Sequence, residues 1–477
     1  MKTLNKTLPV LVLCICSIFS GYTQISDLIP SWAFGDDPSY QNIVIESWIG
    51  SGSPSINSGS LYINNIIDVS DYGIYPGIYD NTAFLINDLL KNQLPPGNSI
   101  VYFPPGIYYL EEGIKIYSNT IIKGNGGDAD DPARTEFHFD YSDDLPLYKS
   151  VSISFARAQN SGIEDIYLFD ETDPLIGVEP NQRYEDLISI PSTSSNIWIR
   201  GVESYLTRRF HVNIYGNRVT VSGCYFHHSW SYSTGGRGYG VCLSKDSHFC
   251  RIENNIFNHL RHSMLFQYNA KQNVVSYNYS WDVHAINGGF DYKASDLDFH
   301  GRHDDDLMGP AWNLCEGNKV ERIFFDDLHE QNGPHNTIFR CNAYSDHQEL
   351  KVEKVQGSNH QFMQNVVGTN AWPYEGNNTR KWILEYGFAY WDGEPDYSEI
   401  PSNQSSYYLY DRPDFYDLNT NWLPWPFIPY DEAINPAKYR YDRNHGYYQN
   451  DPPQHEVVYA RIGFIFQCLW PAKISSK

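Results

Sequence analysis

Several features that the sequence has little of narrow the class of protein. Basic residues are scarce: 34 Lys and Arg stand against 57 Asp and Glu, and the formal net charge is −23. Because such a chain repels phosphates on average, we predict no nucleic acid partner. Long apolar runs are scarce too, and none after residue 23 is long enough to cross a bilayer, so we predict no membrane span.

The one marked apolar run lies at the N-terminus. Lys2 and Lys6 precede an apolar stretch that begins at Leu8, and small and polar residues follow it. This order is typical of a cleavable secretory signal peptide, which we predict over residues 1–23. We therefore expect a secreted or periplasmic mature chain, and we expect it to be a monomer.

Closely spaced cysteine pairs are absent as well. The sequence contains no CxxC, which disfavours a cysteine-type zinc site. Cys224, Cys242 and Cys250 are near neighbours, and a disulfide among them is consistent with an oxidising compartment. The spacing alone does not select a pairing.

What the sequence does contain is a repeat. Short segments rich in Val, Ile, Phe and Tyr bend around a small residue, at Gly201, Gly223, Asn255, Asn278, Asn318, Asn342 and Asn365. Successive bends are 22, 32, 23, 40, 24 and 23 residues apart. A period of 22 to 24 residues with β-rich segments predicts the coils of a right-handed parallel β-helix. We expect stacked asparagines at the bends to hydrogen-bond from coil to coil.

The two long intervals and the end of the repeat define the organisation of the chain. Both intervals predict insertions, which in solenoids often form the binding face, although the longer interval could instead conceal a shortened coil. That interval contains DLDFHGRHDDDLM, residues 296–308. We predict an all-β chain with an N-terminal segment over 24–66, the β-helix over 67–372, and an aromatic-rich C-terminal extension over 373–477. The extension should pack on the β-helix or cap its end.

Motifs in the N-terminal part indicate a family. In order they are DYG (71–73), DNT (80–82), FPPG (103–106) and SNT (118–120). In these motifs the chain resembles the pectate lyase superfamily. The resemblance implies a parallel β-helix plugged by an N-terminal helix, whose apolar face should include Phe84, Ile86, Leu89 and Leu90. Segments such as LRHSMLFQ (260–267) are similar to secreted bacterial proteins known only as pectate-lyase-like, which implies no particular activity.

Charge changes sign in the middle of the chain. Residues 201–303 contain ten Lys or Arg, seven Asp or Glu, and nine of the sixteen histidines. Several of the basic residues fall in the turn after the strand that follows each bend, among them Arg208, Arg209, Arg237 and Arg261. Coils stacked about 5 Å apart would turn them into a basic, histidine-rich stripe suited to an anionic polysaccharide. Solvated turns without a ligand are the alternative.

One chemistry that this segment could perform is β-elimination from a uronate-containing or sulfated polysaccharide. Arg261 and Arg302 would neutralise the substrate, His262 or His300 would act as base, and Tyr239 would donate a proton. The remaining residues that we predict to contact substrate are Arg237, Gln267, His303, His329, His335 and Glu316.

Acidic residues support two other interpretations. A glycoside hydrolase would use two carboxylates, and the candidates are Asp296, Asp298, Asp304, Glu316, Asp327 and Glu330. Calcium could instead bind Asp298 and Asp304 in the acidic run. The sequence therefore predicts a polysaccharide lyase with His262, Arg261, His300, Asp296 and Asp327 as catalytic residues. A hydrolase and a non-catalytic glycan-binding β-helix remain as alternatives.

Overall fold

Each coil of the chain contributes one short strand to each of three parallel sheets in a computed structural model. The structure describes residues 46–57, 61–126, 133–140, 151–171, 186–230, 232, 236–284, 294–301, 309–326, 332–333, 335–343, 350–353, 360–363, 366–367, 372–375, 383–386, 406, 408–409, 413, 415 and 435–444. Every strand pairs only with the strands one coil before and after it. The chain is thus a right-handed parallel β-helix, as the repeat predicts.

The strands are numbered along the chain and grouped here by sheet. Sheet 1 contains β1 (Asn65–Asp68), β2 (Ser99–Tyr102), β5 (Thr120–Lys123), β8 (Gln159–Glu164), β11 (Ser195–Arg200), β14 (Asn217–Ser222), β17 (Arg251–Glu253), β20 (Val274–Ser276), β23 (Leu314–Glu316), β26 (Thr337–Phe339), β29 (His360–Met363) and β32 (Ile383–Tyr386). Sheet 2 contains β3 (Gly106–Leu110), β6 (Thr135–Phe139), β9 (Tyr167–Asp170), β12 (Glu203–Tyr205), β15 (Tyr225–His227), β18 (Ile256–Asn258), β21 (Tyr279–Trp281), β24 (Lys319–Val320), β27 (Asn342–Ala343) and β30 (Val366–Val367). Sheet 3 contains β4 (Ile114–Lys115), β7 (Val151–Ser154), β10 (Asp186–Ile190), β13 (Phe210–Ile214), β16 (Tyr239–Leu243), β19 (His262–Phe266), β22 (Ser295–His300), β25 (Ile323–Asp326), β28 (Leu350–Glu353) and β31 (Trp372–Glu375).

Identical side-chain types stack along the interior. The rings of Phe266, Phe299 and Phe325 lie in successive coils of sheet 3, with centroids 4.5 and 4.3 Å apart. Alternation along each strand sends every second side chain inward, and the parallel register superimposes these positions from coil to coil. Most of the buried apolar side chains therefore form one continuous column along the interior of the β-helix.

In the middle coils of the β-helix, asparagine ladders close two of the three corners. At the corner from sheet 1 to sheet 2, Asn255 Nδ2 donates to Asn278 Oδ1 (3.0 Å), and Asn278 Nδ2 donates to Asn318 Oδ1 (2.9 Å). At the corner from sheet 3 to sheet 1, Asn273 donates to Asn313 (3.0 Å) and Asn313 to Asn336 (2.9 Å). The expected coil-to-coil bonding of asparagines at the bends is confirmed, and a second ladder accompanies it.

The ladder register corrects the sequence alignment by one residue at several bends. Cys224, rather than Gly223, stacks below Asn255, because its amide donates to Asn255 Oδ1 (2.9 Å). Cys341, rather than Asn342, follows Asn318, whose Nδ2 contacts the Cys341 sulfur at 3.5 Å. A thiol that is buried at a bend takes the place of an asparagine, which a search for Gly or Asn overlooks.

Both long intervals are single coils. Tyr279 of β21 pairs directly with Lys319 of β24, so the 40-residue interval contains no additional coil. The additional residues of the 32-residue interval separate β15 from β16, and most of those in the 40-residue interval separate β21 from β22. Insertions thus enlarge the same corner, between sheets 2 and 3, in two different coils. The last strand ends at Tyr386, beyond the predicted boundary at residue 372.

Helices are few among the described residues. A short helix, α1 (Pro54–Asn57), precedes the first strand; a 3₁₀ turn spans Val69–Tyr72; α2 (Thr82–Asp88) continues into a π-helical turn over Leu89–Gln93; and α3 (Pro436–Asn444) lies near the C-terminus. The N-terminal helix α2 packs Ala83 and Ile86 into the core, whereas Phe84 is 61% exposed. Ile86, Leu89 and Leu90 are buried as expected, but the expectation for Phe84 is wrong, because Ala83 takes its place on the buried side of the helix.

The described part of the C-terminal extension lies along the side of the β-helix. Asn435 Nδ2 donates to the carbonyl oxygens of Asn278 (3.1 Å) and Gly317 (3.0 Å), and Tyr441 packs on Trp281.

Residues 1–23 lie outside the described residues, so the signal peptide stays a prediction. Within the residues that the structure describes, we find no helix with the length and apolarity that crossing a membrane requires. The five described cysteines are buried and free, so the expected disulfide does not form among Cys224, Cys242 and Cys250.

Candidate functional site

The acidic run that the sequence placed in an inserted loop begins as a strand. Residues 295–300 form β22 of sheet 3, between β19 and β25, and Leu297 and Phe299 point into the core. The insertions lie on either side of this strand. The expectation of a single loop is therefore wrong for residues 296–300, and the polar–apolar alternation of DLDFH is the signal that could have identified the strand.

Three titratable side chains converge where β22 lies beside β19. His262 Nδ1 lies 2.8 Å from Asp298 Oδ2, which also accepts a hydrogen bond from Ser295 Oγ at 2.7 Å. On the other side, His300 Nε2 lies 3.4 Å from Asp298 Oδ1 and 3.8 Å from Asp326 Oδ2. We call these residues the His262–Asp298–His300 cluster. Its members come from two adjacent coils, and the strand register brings them together.

Burial and mutual attraction set opposite pKa shifts in this cluster. Burial lowers the pKa of His262 to about 4, although Asp298 opposes that shift. Burial by itself would raise the pKa of Asp298, but His300 and His262 hold it well below the usual range. For His300, burial would lower the pKa, but Asp298 and Asp326 outweigh it and raise the pKa. At neutral pH the cluster therefore combines an ionised Asp298 with a neutral His262.

A phenol and a guanidinium border the cluster. Tyr239 occupies the position in β16 that pairs with His262, and their rings meet edge to face at 4.8 Å. Arg261 Nη1 donates to the Tyr239 hydroxyl at 3.1 Å. Arg261 Nε is buried and makes no hydrogen bond among the described residues. Burial raises the pKa of Tyr239 to about 12, so the hydroxyl keeps its proton at neutral pH.

Asp296 does not join the cluster. Its carboxylate accepts hydrogen bonds from the amides of Glu321 (2.7 Å) and Arg322 (2.8 Å) and from the Ser280 hydroxyl. The amides of Asp296 and Leu297 both donate to the Arg322 carbonyl, an arrangement that resembles a β-bulge. This irregularity turns Asp296 toward the corner with sheet 2, so it holds two coils together.

The structure places the other predicted residues in different parts of the fold. Gln267 Nε2 lies 3.2 Å from His300 Nδ1 and so borders the cluster, and Arg237 is buried two residues before Tyr239. Glu316 lies on sheet 1, where it accepts a hydrogen bond from Tyr277 (2.7 Å), and His335 sits at the bend before β26. The predictions for Arg302, His303, Asp304, Asp327, His329 and Glu330 fall outside the described residues.

Sequence reasoning missed two members of the site. Ser295 shares Asp298 Oδ2 with His262, and Asp326 approaches His300 from the next coil. Asp326 directly precedes Asp327, and only Asp327 is among the catalytic residues that the sequence predicts. Strand alternation could have distinguished them, because Phe325 points inward and Asp326 therefore points outward.

The cluster also has a donor set that metals use. One ligand atom from each of His262, Asp298 and His300 lies within 4.8 Å of the others. Two imidazoles with one carboxylate suit a transition metal better than calcium, which prefers oxygen ligands. Because Asp304 lies outside the described residues, the calcium site of Asp298 and Asp304 stays a prediction.

The three sheets and this cluster together define a parallel β-helix that carries a histidine–carboxylate site on one sheet. Residues 66–284 match the family model for "Rhamnogalacturonase A/epimerase, pectate lyase-like". The match confirms the resemblance to the pectate lyase superfamily over this part of the chain. No curated protein matches the sequence.

Solved structures with a similar fold come from proteins of different kinds. The superposition on the A-module of mannuronan C-5 epimerase AlgE6 from Azotobacter vinelandii covers 67% of this chain and 79% of the module, with 14% identity and a TM-score of 0.47. An exopolygalacturonase from Thermotoga maritima covers 73% and 95%, with 10% identity and a TM-score of 0.46. The Streptococcus pneumoniae adhesin PfbA covers 68% and 97%, with 14% identity and a TM-score of 0.39. Likenesses at this level carry no information about activity.

Proposed function

We propose that the protein is a secreted lyase that cleaves a uronate-containing polysaccharide by β-elimination at the His262–Asp298–His300 cluster. The observation that carries the proposal is the convergence of a neutral imidazole, a protonated phenol and a guanidinium on sheet 3. Elimination needs a base, an acid and a cation that neutralises the uronate carboxylate. The matched family is consistent with a polysaccharide substrate.

His262 is the base in this proposal. Asp298 accepts the hydrogen bond from His262 Nδ1, which leaves the lone pair of Nε2 to remove the proton on the carbon next to the uronate carboxylate. A pKa of about 4 means that this nitrogen is unprotonated at neutral pH. Asp298 thereby orients the ring and stabilises the imidazolium that forms.

Tyr239 and Arg261 complete the reaction. Arg261 pairs with the substrate carboxylate and stabilises the charge that develops when the carbon–hydrogen bond breaks. The bond from the adjacent ring carbon to the glycosidic oxygen then breaks, a carbon–carbon double bond forms, and Tyr239 protonates the departing oxygen. The Tyr239 hydroxyl accepts its hydrogen bond from Arg261, so its own proton is available to the leaving group.

Access to these residues requires side chains to move. His262 and Tyr239 are 1% and 3% exposed, so a polymer reaches them only when neighbouring groups at the corner between sheets 2 and 3 shift. Four arginines precede strands of sheet 3 at this corner, and their charge favours an anionic chain there: Arg208, Arg209, Arg237 and Arg261.

One observation favours a glycoside hydrolase as the second candidate. Asp298 and Asp326 lie in adjacent coils and both approach His300 Nε2, so two carboxylates are available at the same place. A hydrolase would use such a pair as acid and as nucleophile or base.

One assay separates the candidates. The mature protein is incubated with alginate, pectate, ulvan, fucoidan and carrageenan while ultraviolet absorbance of unsaturated uronates and reducing ends are followed. A lyase raises both signals. Reducing ends alone would establish a hydrolase, a change in uronate stereochemistry alone would indicate epimerisation, and binding without reaction would indicate a glycan-binding protein.

The matched variants are His262→Ala and His248→Ala. His262→Ala should lower the elimination rate by about 10²–10⁴-fold, the range for loss of a general base. His248 is a half-buried histidine at another bend, where it contacts the Asp246 carbonyl, so His248→Ala should keep full activity. Full activity in His262→Ala, with circular dichroism unchanged, would remove His262 from the mechanism.

A further inference from the structure

A second group of histidines lies at the corner between sheets 2 and 3. His228, His259 and Asp282 follow β15, β18 and β21 directly, so they occupy equivalent positions in three successive coils. All three have positive φ, of 59°, 55° and 59°. Positive φ recurs at many bends of this fold, and here it stacks three metal-binding side-chain types above one another.

The side chains in this group contact each other closely. His259 Nδ1 lies 2.6 Å from Asp282 Oδ2, and the centroid of the His284 ring lies 3.9 Å from that of His259. The ring of His228 stacks on that of His259 at 4.6 Å, and Tyr232 meets His284 edge to face at 4.4 Å. One ligand atom from each of His259, Asp282 and His284 lies within 4.8 Å of the others.

We propose that His259, Asp282 and His284 form a binding site for a divalent transition-metal ion of the zinc class. Two imidazoles and one carboxylate supply three ligands that such ions prefer, and the partly exposed position leaves room for water as a fourth. We call this group the surface histidine site.

Charge favours a cation over an anionic sugar at this position. Asp282 belongs to the site, and the carboxylate of Glu321 in the next coil lies beside it, accepting a hydrogen bond from the Val283 amide at 2.8 Å. Calcium is disfavoured, because two of the three ligands are nitrogens.

Metal binding requires one local change. The His259 and His284 rings are tilted by only 31°, and an ion must lie close to the plane of each ring that binds it. His284 therefore turns away from the stack, and the ion replaces the proton between His259 and Asp282. Because these side chains are half-buried or exposed, such a rotation does not disturb the core.

The test is equilibrium dialysis of the full mature chain, without a histidine tag, against Zn²⁺ with metal analysis. Cobalt absorption spectra report the ligand set independently. We expect one Zn²⁺ per chain, and affinity that falls by at least about tenfold in His259→Ala, His284→Ala and Asp282→Asn. His248→Ala is the matched control and should bind as the wild type does.

Two results would overturn the proposal. One is unchanged zinc affinity in His259→Ala and His284→Ala. The other is loss of zinc in His262→Ala with retention in His259→Ala, which would assign the ion to the His262–Asp298–His300 cluster. Polysaccharide cleavage is measured in parallel on the same variants, so failure of the proposed lyase function and failure of this site are distinguished.

Discussion

The three corners of each coil use polar side chains in two different ways. At the two corners that flank sheet 1, buried asparagines form ladders. Their side-chain amides donate hydrogen bonds to the asparagine of the next coil and to backbone carbonyl oxygens. At the corner between sheets 2 and 3, histidines, arginines and carboxylates contact each other instead. Most of the inserted residues enlarge this corner, and both candidate sites lie at or beside it.

The contrast follows from the hydrogen bonds and the charge that each kind of side chain can contribute. An asparagine offers one donor group and one acceptor, so it can repeat along the stack without accumulating charge. Histidine and aspartate change charge with pH, and stacking them one coil apart couples their titration. Ladders therefore stabilise the solenoid, whereas the third corner retains groups that can transfer protons or bind ions.

The largest effect that we expect comes from breaking a ladder. Asn278→Ala removes the oxygen that accepts hydrogen bonds from the Asn255 backbone amide and side chain. It also removes the amide group that donates to the Ile252 carbonyl and to Asn318 Oδ1, and all of these groups are buried. With about 1–3 kcal/mol for each buried group left unsatisfied, we expect the free energy of unfolding in urea to fall by about 3–5 kcal/mol.

The matched control for this change is Asn269→Ala. Asn269 also contacts a side chain one coil away, Asp246, but both residues lie at the surface. We expect a loss below about 0.5 kcal/mol. Equal losses in both variants would show that the ladder has no special role in stability.

A smaller effect is expected from neutralising the carboxylate at the centre of the His262–Asp298–His300 cluster. Asp298→Asn keeps the shape of the side chain but loses the charge that orients His262 and raises the pKa of His300. We expect kcat/KM on the polysaccharide substrate to fall by about 10–100-fold, the range for carboxylates that orient a metal-binding imidazole. Asp246→Asn, at an exposed bend, should leave kcat/KM unchanged, and an unchanged kcat/KM in Asp298→Asn would contradict the role of Asp298.

The smallest effect concerns Asp296 and depends on pH. Burial raises the pKa of Asp296 to about 7, so the folded state binds a proton that the unfolded state has released above about pH 4. Stability from this group is therefore present below pH 4 and is lost as pH rises to about 7. Asp296→Asn should remove this dependence, so the stability of the wild type relative to the variant should fall as the pH rises from 4 to 7 in urea unfolding.

The same variant tests the separation of Asp296 from the active cluster. Since Asp296 contacts Ser280 and two amides rather than His262, turnover by Asp296→Asn should match the wild type. Loss of turnover in a folded variant would restore Asp296 as a catalytic residue, as the sequence suggested.

Much of the fold could be predicted from the sequence. The 22 to 24 residue period reflects the perimeter of one coil, and the alternation of Val, Ile and Phe identifies strands without knowledge of their partners. The asparagine bends were visible for the same reason, because each is a local signal. The bend positions of Cys224 and Cys341 could not be recognised in this way, because cysteine has no preference for bends.

The candidate site was predictable only in part. His262, Arg261, Tyr239, Asp298 and His300 were selected from composition and placement, and the structure brings them together on sheet 3. Asp296 could not be distinguished from Asp298, because both are polar positions of one alternating strand. Only the bulge at Asp296 and Leu297 turns one carboxylate inward and leaves the other beside the histidines.

By itself the sequence determined the coil length, the apolar column and the segment in which titratable residues gather, because each depends on neighbours along the chain. The tertiary structure alone decided which of those residues meet. His262 pairs with Ser295 across an insertion whose length no periodicity encodes, and this register places Asp298 beside His262, and Asp326 beside His300. Contacts between coils depend on hydrogen-bond register, which is a property of the stacked strands and not of any one of them.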